Sequence, residues 1–402
     1  MSMEHHLSAA PAPPPGFDLV GQEFLDNPRE WFRLSREVAP VFYSPEFGFW
    51  GLTRYEDIER ALRDWETFSS ASIAMVPVPE QFAGQVPPGF FATGALISQD
   101  PPMHTRRRKL INRGFTRGRM TSMTEPIESI CNELIDVFVD RGSCDLMTEY
   151  CYEVSLRSIV HLMGLPTDDL PRLRQLADDQ GAVVSDAIKP MPDAERIKRW
   201  KRIVEARAYL TAIADERREH PSDDMVSTMM AAVDESGNPA LTAEQAVTHL
   251  TELVFAGTDT TANLMASLVR LLDQHPDQLR ELKADPALWE AAVEEGLRVR
   301  SATNGLFRVT TRDVEVGGAT IPARSVVWLG LASAGLDGGV FDDPERFDIY
   351  RPNLAEHISF GKGRHFCVGS PLTRVEAPIA MRLLYERVPD LRVVAGQTIE
   401  YD

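Results

Sequence analysis

The sequence predicts a mainly α-helical fold with a small strand-bearing region, and three observations carry that prediction. Apolar residues recur at helical spacing over most of 102–300. One candidate helix, 242–272, spans roughly 45 Å at 1.5 Å per residue, enough to cross a whole domain. Strand patterns are confined to 41–52 and 314–329.

The elements follow in order. The Ala/Pro stretch from Ala9 to Pro15 reads as an extended lead-in within residues 1–24. Pro28-Arg29-Glu30-Trp31-Phe32 opens a short helix, with Asn27 as its cap. Val41-Phe42-Tyr43 and Phe49-Trp50-Gly51-Leu52 read as paired strands around a Ser-Pro turn, and 55–63 as helix. Residues 71–97 are rich in Pro, Gly, Phe, Met and Val without a period. A loop that long and that apolar is usually functional. Helical spacing resumes over 126–139, 146–163 and 197–213. Thr242 and Gln245 form a capping box at the start of the longest helix. Gly317-Gly318 marks a turn within 314–329, a long loop runs to 370, and a last helix covers 371–386. No repeat or linker interrupts the chain, so one domain over 1–402 is expected.

Composition narrows the function. Hydrophobic residues make up 43% and charged residues 25%, as in ordinary soluble proteins. A net charge of −18 argues against nucleic acid as the main partner, since phosphate binding needs a Lys/Arg surplus. No apolar run reaches the length of a membrane anchor or signal peptide. Four cysteines, Cys131, Cys144, Cys151 and Cys367, are too few for a disulfide framework, and none sits in a C-x-x-C pair. A reducing, cytoplasmic setting is expected.

The decisive segment is Phe360-Gly361-Lys362-Gly363-Arg364-His365-Phe366-Cys367-Val368-Gly369. A lone cysteine is usually a buried small hydrophobe. Cys367 is instead surrounded by glycines, a histidine and two basic residues, with a helix start behind it. Glycine lets backbone approach a flat ligand closely. Amide groups at a helix start can share a thiolate's charge. The segment resembles the haem-binding loop of the cytochrome P-450 family, F-G-x-G-x-[HR]-x-C-x-G, and matches at every fixed position. Leu372, Arg374 and Glu376 also match, whereas Thr373 stands where alanine is common.

The resemblance covers roughly residues 25–400 and has definite implications. The fold would be the cytochrome P-450 fold, a triangular helical prism with a small β-rich region. The cofactor would be haem b, iron protoporphyrin IX, with Cys367 as axial iron ligand. His365 would contact a haem propionate, and Phe360, Gly361 and Gly369 would line the cofactor. A thiolate ligand pushes electron density onto iron and favours O–O cleavage.

Three further segments fit the same family. Ala256-Gly257-Thr258-Asp259-Thr260 matches [AG]-G-x-[DE]-T. Alone it reads equally well as a polar kink in a core helix. Within the family, Ala256 lies against the haem and Gly257 leaves room for dioxygen. Thr260 hydrogen-bonds the bound oxygen, and Asp259 relays protons from solvent. Glu295-Gly296-Leu297-Arg298 matches E-x-x-R, which alone would be a solvated i, i+3 pair of small value. In the family that pair is buried and structural. His104 and Arg108 share a helix face and suit haem propionates, as does Arg308. One departure is the family's A-N-R-D-P stretch, here replaced by Ala334-Gly335-Leu336-Asp337-Gly338-Gly339-Val340. A second is that a further short strand pair touching substrate is expected just beyond Asp402.

The implied activity is monooxygenation: one oxygen atom from dioxygen enters a small or medium hydrophobic substrate. Electrons would come from NAD(P)H through a reductase and an iron–sulfur ferredoxin, or a flavodoxin. Arg106, Arg107, Lys109, Arg113, Lys362 and Arg364 are expected to form a basic dock for that partner. Candidate substrate contacts are Met75, Phe82, Phe90, Phe91, Val183, Val184, Leu253, Val254, Asn304 and Leu306, a mostly apolar set. Two other readings stay open. A peroxide-driven peroxygenase is disfavoured by the Asp259-Thr260 pair. A non-catalytic haem sensor or recruitment module is disfavoured by Cys367 together with that pair.

Overall fold

The computed structural model describes residues 10–71, 77–86, 95–186 and 189–397. Met75, Phe90 and Phe91, expected to touch substrate, lie outside the described residues. Helices of eight or more residues, in chain order, are α1 (Arg29–Val38), α2 (Tyr55–Arg63), α3 (Met103–Ile111), α4 (Thr124–Phe138), α5 (Tyr152–Met163), α6 (Leu170–Ser185), α7 (Asp193–Glu219), α8 (Ala243–Gln274), α9 (Pro276–Ala284), α10 (Trp289–Val299) and α11 (Ser370–Arg387). The strands are β1 (Val41–Ser44), β2 (Phe49–Leu52), β3 (Phe68–Ser69), β4 (Leu306–Thr310), β5 (Val314–Val316), β6 (Ala319–Ile321) and β7 (Val326–Leu329). The chain divides into two compact units. Unit 1 is built from the described parts of 1–73, 267–367 and 392–402, and unit 2 from those of 74–266 and 368–391.

Unit 1 holds every strand among the described residues. Its five-stranded sheet runs β1-β2-β7-β4-β3, and β5 pairs with β6 alone. β2 lies between β1 and β7, so all four of its residues are buried. A Cβ on Gly51 would come within 2.2 Å of the Phe42 ring, which is why the strand carries glycine there. Gly317 and Gly318 both have positive φ, 54° and 82°, the backbone that a tight β5–β6 hairpin requires. Two expectations need correction. Asn27 does not cap α1: Pro28 holds the N-cap position and no side chain caps it. β4 was hidden in the sequence because Arg308 interrupts its apolar pattern, although that arginine is only 3% exposed.

Unit 2 is a helical assembly. α4 packs on α5 and α11, and α6 packs on α7. The α6–α7 contact holds a buried carboxylate, since Asp179 accepts from Arg199 Nη1 at 3.1 Å and Arg202 Nε at 2.7 Å. α8 runs 32 residues, about 48 Å, and its residues 243–266 belong to this unit. Its capping box is reciprocal: Gln245 N–H donates to Thr242 Oγ1 at 3.2 Å, and Thr242 N–H to Gln245 Oε1 at 3.1 Å. The unusual Thr373 has a partner. Its hydroxyl meets that of Thr261 at 3.2 Å, joining α11 to α8 in the buried interior.

Another α11 residue, Glu376, is buried and accepts from Ser155 Oγ at 2.8 Å. Burial pushes its carboxyl up to about 7, and the nearby Ser155 and Ser158 hydroxyls offset that only partly. A carboxyl raised by folding contributes stability that is fully present below its unfolded value and is lost as pH rises through the folded one. Between pH about 4.5 and 7 the native state therefore loses roughly 3 kcal/mol relative to the unfolded chain. Glu376→Gln, which cannot ionise, should match wild type in urea denaturation near pH 4.5 and exceed it by up to that amount at pH 8. Equal stabilities at pH 8 would refute this.

Candidate active site

In unit 1 the Cys367 loop is shaped by two left-handed glycines. Gly361 and Gly363 have φ of 71° and 69°. A Cβ on Gly363 would also lie 2.8 Å from the Leu62 carbonyl, so glycine is required there twice over. The loop closes on itself where the Cys367 N–H donates to Phe360 O at 2.8 Å. His365 ends a 3₁₀ turn, Gly363–His365, and Arg364 lies over the Trp65 ring at 5.4 Å.

The other three cysteines are poor thiolates. Burial pushes the Cys131 thiol up to about 12 and raises Cys151 and Cys144 as well. Cys367 is partly exposed at the turn of a glycine loop, three residues before α11.

α10 holds this loop from behind. Glu294 and His357 share a 2.8 Å contact, and Ser359 Oγ donates to Leu297 O at 2.7 Å. Glu295 and Arg298 form a two-bond ion pair, at 2.7 and 2.8 Å, with both side chains fully buried. Arg351, which sequence reasoning missed, adds a third charge, its Nε 3.2 Å from Glu295 Oε1. Arg298 also donates to the carbonyls of Gly335, Pro344 and Arg346. The divergent 334–340 segment is part of this network. A Cβ on Gly335 would sit 2.1 Å from Arg298 O, and Asp337 Oδ2 accepts the first N–H of α2, from Tyr55, at 2.8 Å. Also in unit 1, Arg308 projects from β4 and donates to Phe307 O at 2.7 Å. Asn304 and Leu306 are partly exposed nearby in sequence, Leu306 paired with Leu329.

In unit 2, Ala256 and Thr260 are exposed on one face of α8, one turn apart. Thr260 Oγ1 donates to Ala256 O at 2.8 Å, so its one proton is engaged and its lone pairs remain to accept. Asp259 turns toward α6, where its Oδ2 lies 3.8 Å from the Cβ position of Gly181. Tyr152 donates to Asp178 at 2.7 Å, and burial, Asp178 and Asp259 together raise its phenol well above the usual range. His104 on α3 is buried, whereas Arg108 is partly exposed and donates to Asn112 Oδ1 at 2.9 Å. Gly369 occupies the N-cap position of α11. Phe82 and Val184 are partly exposed, and Leu253 is 6% exposed.

Two expectations change, and Gly257 gains a packing role. Gly257 lies about 100° round α8 from Ala256, and its Cβ position is 3.2 Å from Ile159 Cγ1. Its small size therefore serves packing of α8 on α5, at the margin of the Ala256–Thr260 face, about 60° round the helix from Thr260. Val254 is fully buried, about 160° round α8 from Ala256 and about 120° from Thr260, and Val183 is 1% exposed. Arg107 is buried too. Burial lowers its guanidinium and the Glu252 carboxylate works against that, so Arg107 cannot belong to a surface dock.

The donor set fits an iron porphyrin. Unit 1 offers one partly exposed thiol in a glycine cradle, a donor suited to a haem iron, and in Arg308 and His365 side chains that could pair with carboxylates. In unit 2, His104 and Arg108 are likewise suited to carboxylates, and α8 carries a small exposed residue at Ala256.

Comparison with known proteins agrees. Residues 48–387 match the family model described as Cytochrome P450. Cytochrome P450 107B1 of Saccharopolyspora erythraea is 35% identical over 86% of this chain and 84% of its own length. Vitamin D(3) 25-hydroxylase of Pseudonocardia autotrophica is 33% identical, over 94% and 91%. The crystal structure of P450BioI in complex with an acyl carrier protein ligated to hexadec-9Z-enoic acid superposes with a TM-score of 0.83 at 29% identity, covering 94% of this chain and 96% of that one. The mainly helical fold with its small β region is the fold of these neighbours.

Breaking a buried ion pair from one side leaves an uncompensated charge in the interior. Arg298→Met should therefore cost about 3–5 kcal/mol in chemical denaturation. A loss below about 1 kcal/mol, the value of an exposed pair, would show the cluster to be dispensable.

Proposed function

Because the chain belongs to the cytochrome P450 family, we propose that it oxidises a small or medium hydrophobic substrate by inserting one atom of dioxygen into a C–H bond, with electrons delivered from NAD(P)H through a ferredoxin and its reductase. The protein is an oxidoreductase of the P450 monooxygenase family and binds haem b. When bound, haem b supplies the activation of dioxygen. Cys367 would hold the iron, and His104, Arg108, Arg308 and His365 would hold the propionates.

The observation that carries the reading is the arrangement of Thr260 and Asp259. Thr260 is committed as a donor to Ala256 O, so toward the open face it accepts a hydrogen bond and can hold a water or hydroxyl proton in place. Asp259, one residue earlier, points to α6 and can take protons from outside and pass them on. A peroxide-driven enzyme has no need of such a pair. A hydrophobic substrate of middle size agrees with the apolar character of the candidate contacts and with a similar protein named for hydroxylating vitamin D(3).

The test is turnover with a surrogate ferredoxin, its reductase and NADH over a substrate library. Asp259→Asn should lower turnover by about 10²-fold while the carbon monoxide spectrum of the reduced protein keeps its thiolate signature. Cys367→His should lose that signature. Product that forms only with peroxide would instead favour the peroxygenase.

The dock is redrawn without Arg107. Arg106, Lys109 and Arg113 are exposed along α3 and the turn after it, with Arg117 beyond them. Within unit 1, Lys362 is partly exposed and Arg364 is engaged with Trp65. On a chain of net charge −18, a local basic strip steers an acidic partner. Reversing Arg106, Lys109 and Arg113 to Glu should raise the apparent KM for ferredoxin about tenfold at low salt, with the effect shrinking as salt rises. An unchanged KM at low salt would remove this surface from consideration.

A further inference from the structure

We infer that a cavity lined by α1, the start of α2 and the divergent stretch after Ala334 is a second ligand site. It takes a short zwitterion whose carboxylate and ammonium stand at opposite ends of an apolar body, such as an ω-amino acid or a dipeptide. The site lies wholly within unit 1 and shares no residue with the Cys367 loop, so it goes beyond the proposed oxidation.

The cavity has a volume of about 630 Å³, within the range that holds small ligands. The sequence gives a reason for it. Taken position by position from Ala334, the pattern A-N-R-D-P has arginine and proline where this chain has Leu336 and Gly338. Leu336 is shorter than arginine and carries no charge, and Gly338 and Gly339 bring no side chains to the exposed rim. Most of the charged groups around it are already engaged. Glu37 holds Arg33 at 3.1 Å. Asp337 accepts the Tyr55 N–H at 2.8 Å and the Gly339 N–H at 2.9 Å.

Two arginines are not fully engaged. Arg36 donates from Nη1, to Ser333 O and Oγ at 3.0 and 2.8 Å, and Arg54 from Nε, to Arg36 O at 3.1 Å. Both Nη groups of Arg54 and Nη2 of Arg36 have no partner among the described residues. Both side chains are half-buried, whereas Glu56 and Glu345 are exposed. Burial lowers the Arg36 guanidinium while Asp337, Glu345 and Glu37 oppose that, so a further anion beside it is favourable. The planar fork of Arg54 suits a carboxylate. Glu56 and Glu345, on the exposed side, suit an ammonium and repel a dianion such as phosphate. Leu336, Val340 and Pro344 supply apolar wall. Pro344 O also accepts from Arg298, so a ligand here bears on the same stretch that the buried charge cluster fixes.

The test titrates the haem-loaded full chain calorimetrically with 6-aminohexanoate, hexanoate and hexylamine, while the Soret band reports on the iron. 6-Aminohexanoate should bind about tenfold more tightly than either half-molecule, without a Soret shift, and should raise the urea midpoint of the saturated protein. Arg54→Gln removes the fork and Gly338→Phe plugs the mouth. Each should raise the Kd about tenfold or more and leave the carbon monoxide spectrum intact. A Cβ at Gly338 meets only Pro344 Cγ, at 4.0 Å, so G338F decides the matter if R54Q fails to fold. Hexanoate that binds as tightly as 6-aminohexanoate overturns the zwitterion class. No binding at about 10 mM, a Kd unmoved in both variants, or binding seen only with an amine-type Soret shift overturns the site.

Discussion

Glu295, Arg298 and Arg351 place three charges in the interior of unit 1, and the segment leading to Cys367 depends on how those charges are satisfied. Removing ions from water is costly, and it is tolerated only when every donor and acceptor finds a partner. Here the partners are backbone. Arg298 and Arg351 reach carbonyls between 335 and 346, and Glu295 accepts the Asp348 N–H at 2.8 Å. A long stretch with little regular structure is thereby fixed without helix or strand. The glycine-shaped loop around Cys367 inherits that rigidity through His357 and Ser359.

In unit 2 the organising element is α8, which divides its surface among several tasks. One stripe carries Glu252, Ala256 and Thr260. A second presents Gly257 to Ile159, and Thr261 reaches Thr373 on α11. Asp259 faces α6. Neighbouring residues in the A-G-x-D-T run therefore do different work, because successive side chains are about 100° apart round the helix. A motif read as a string hides that division. Gly257 is the clearest case: a Cβ there would meet Ile159 at 3.2 Å, a packing constraint that the string does not show.

Most helices and the first hairpin were legible because amphipathic periodicity, capping residues and turn glycines are local signals. The range 55–63 and the Thr242–Gln245 capping box appear in the structure as read. The misses share one physical origin. β4 contains a buried arginine that breaks alternation, Arg351 joins Glu295 across more than fifty residues, and Glu252 meets Leu96 across more than a hundred and fifty. Each is a buried polar side chain; Arg351 and Glu252 are bonded to partners far along the chain, and no local pattern records a distant partner.

The family, the cofactor class and the candidate thiol were readable before folding through one resemblance, that of Phe360–Gly369 to the family's haem-binding loop, and such a resemblance is visible because the loop's residues are contiguous. Only the tertiary structure decided which basic residues are surface and which are interior, as Arg107 shows, and which face of α8 each motif residue occupies. Exposure and direction are properties of packing against elements far away in the chain, so they exist only once the chain has folded.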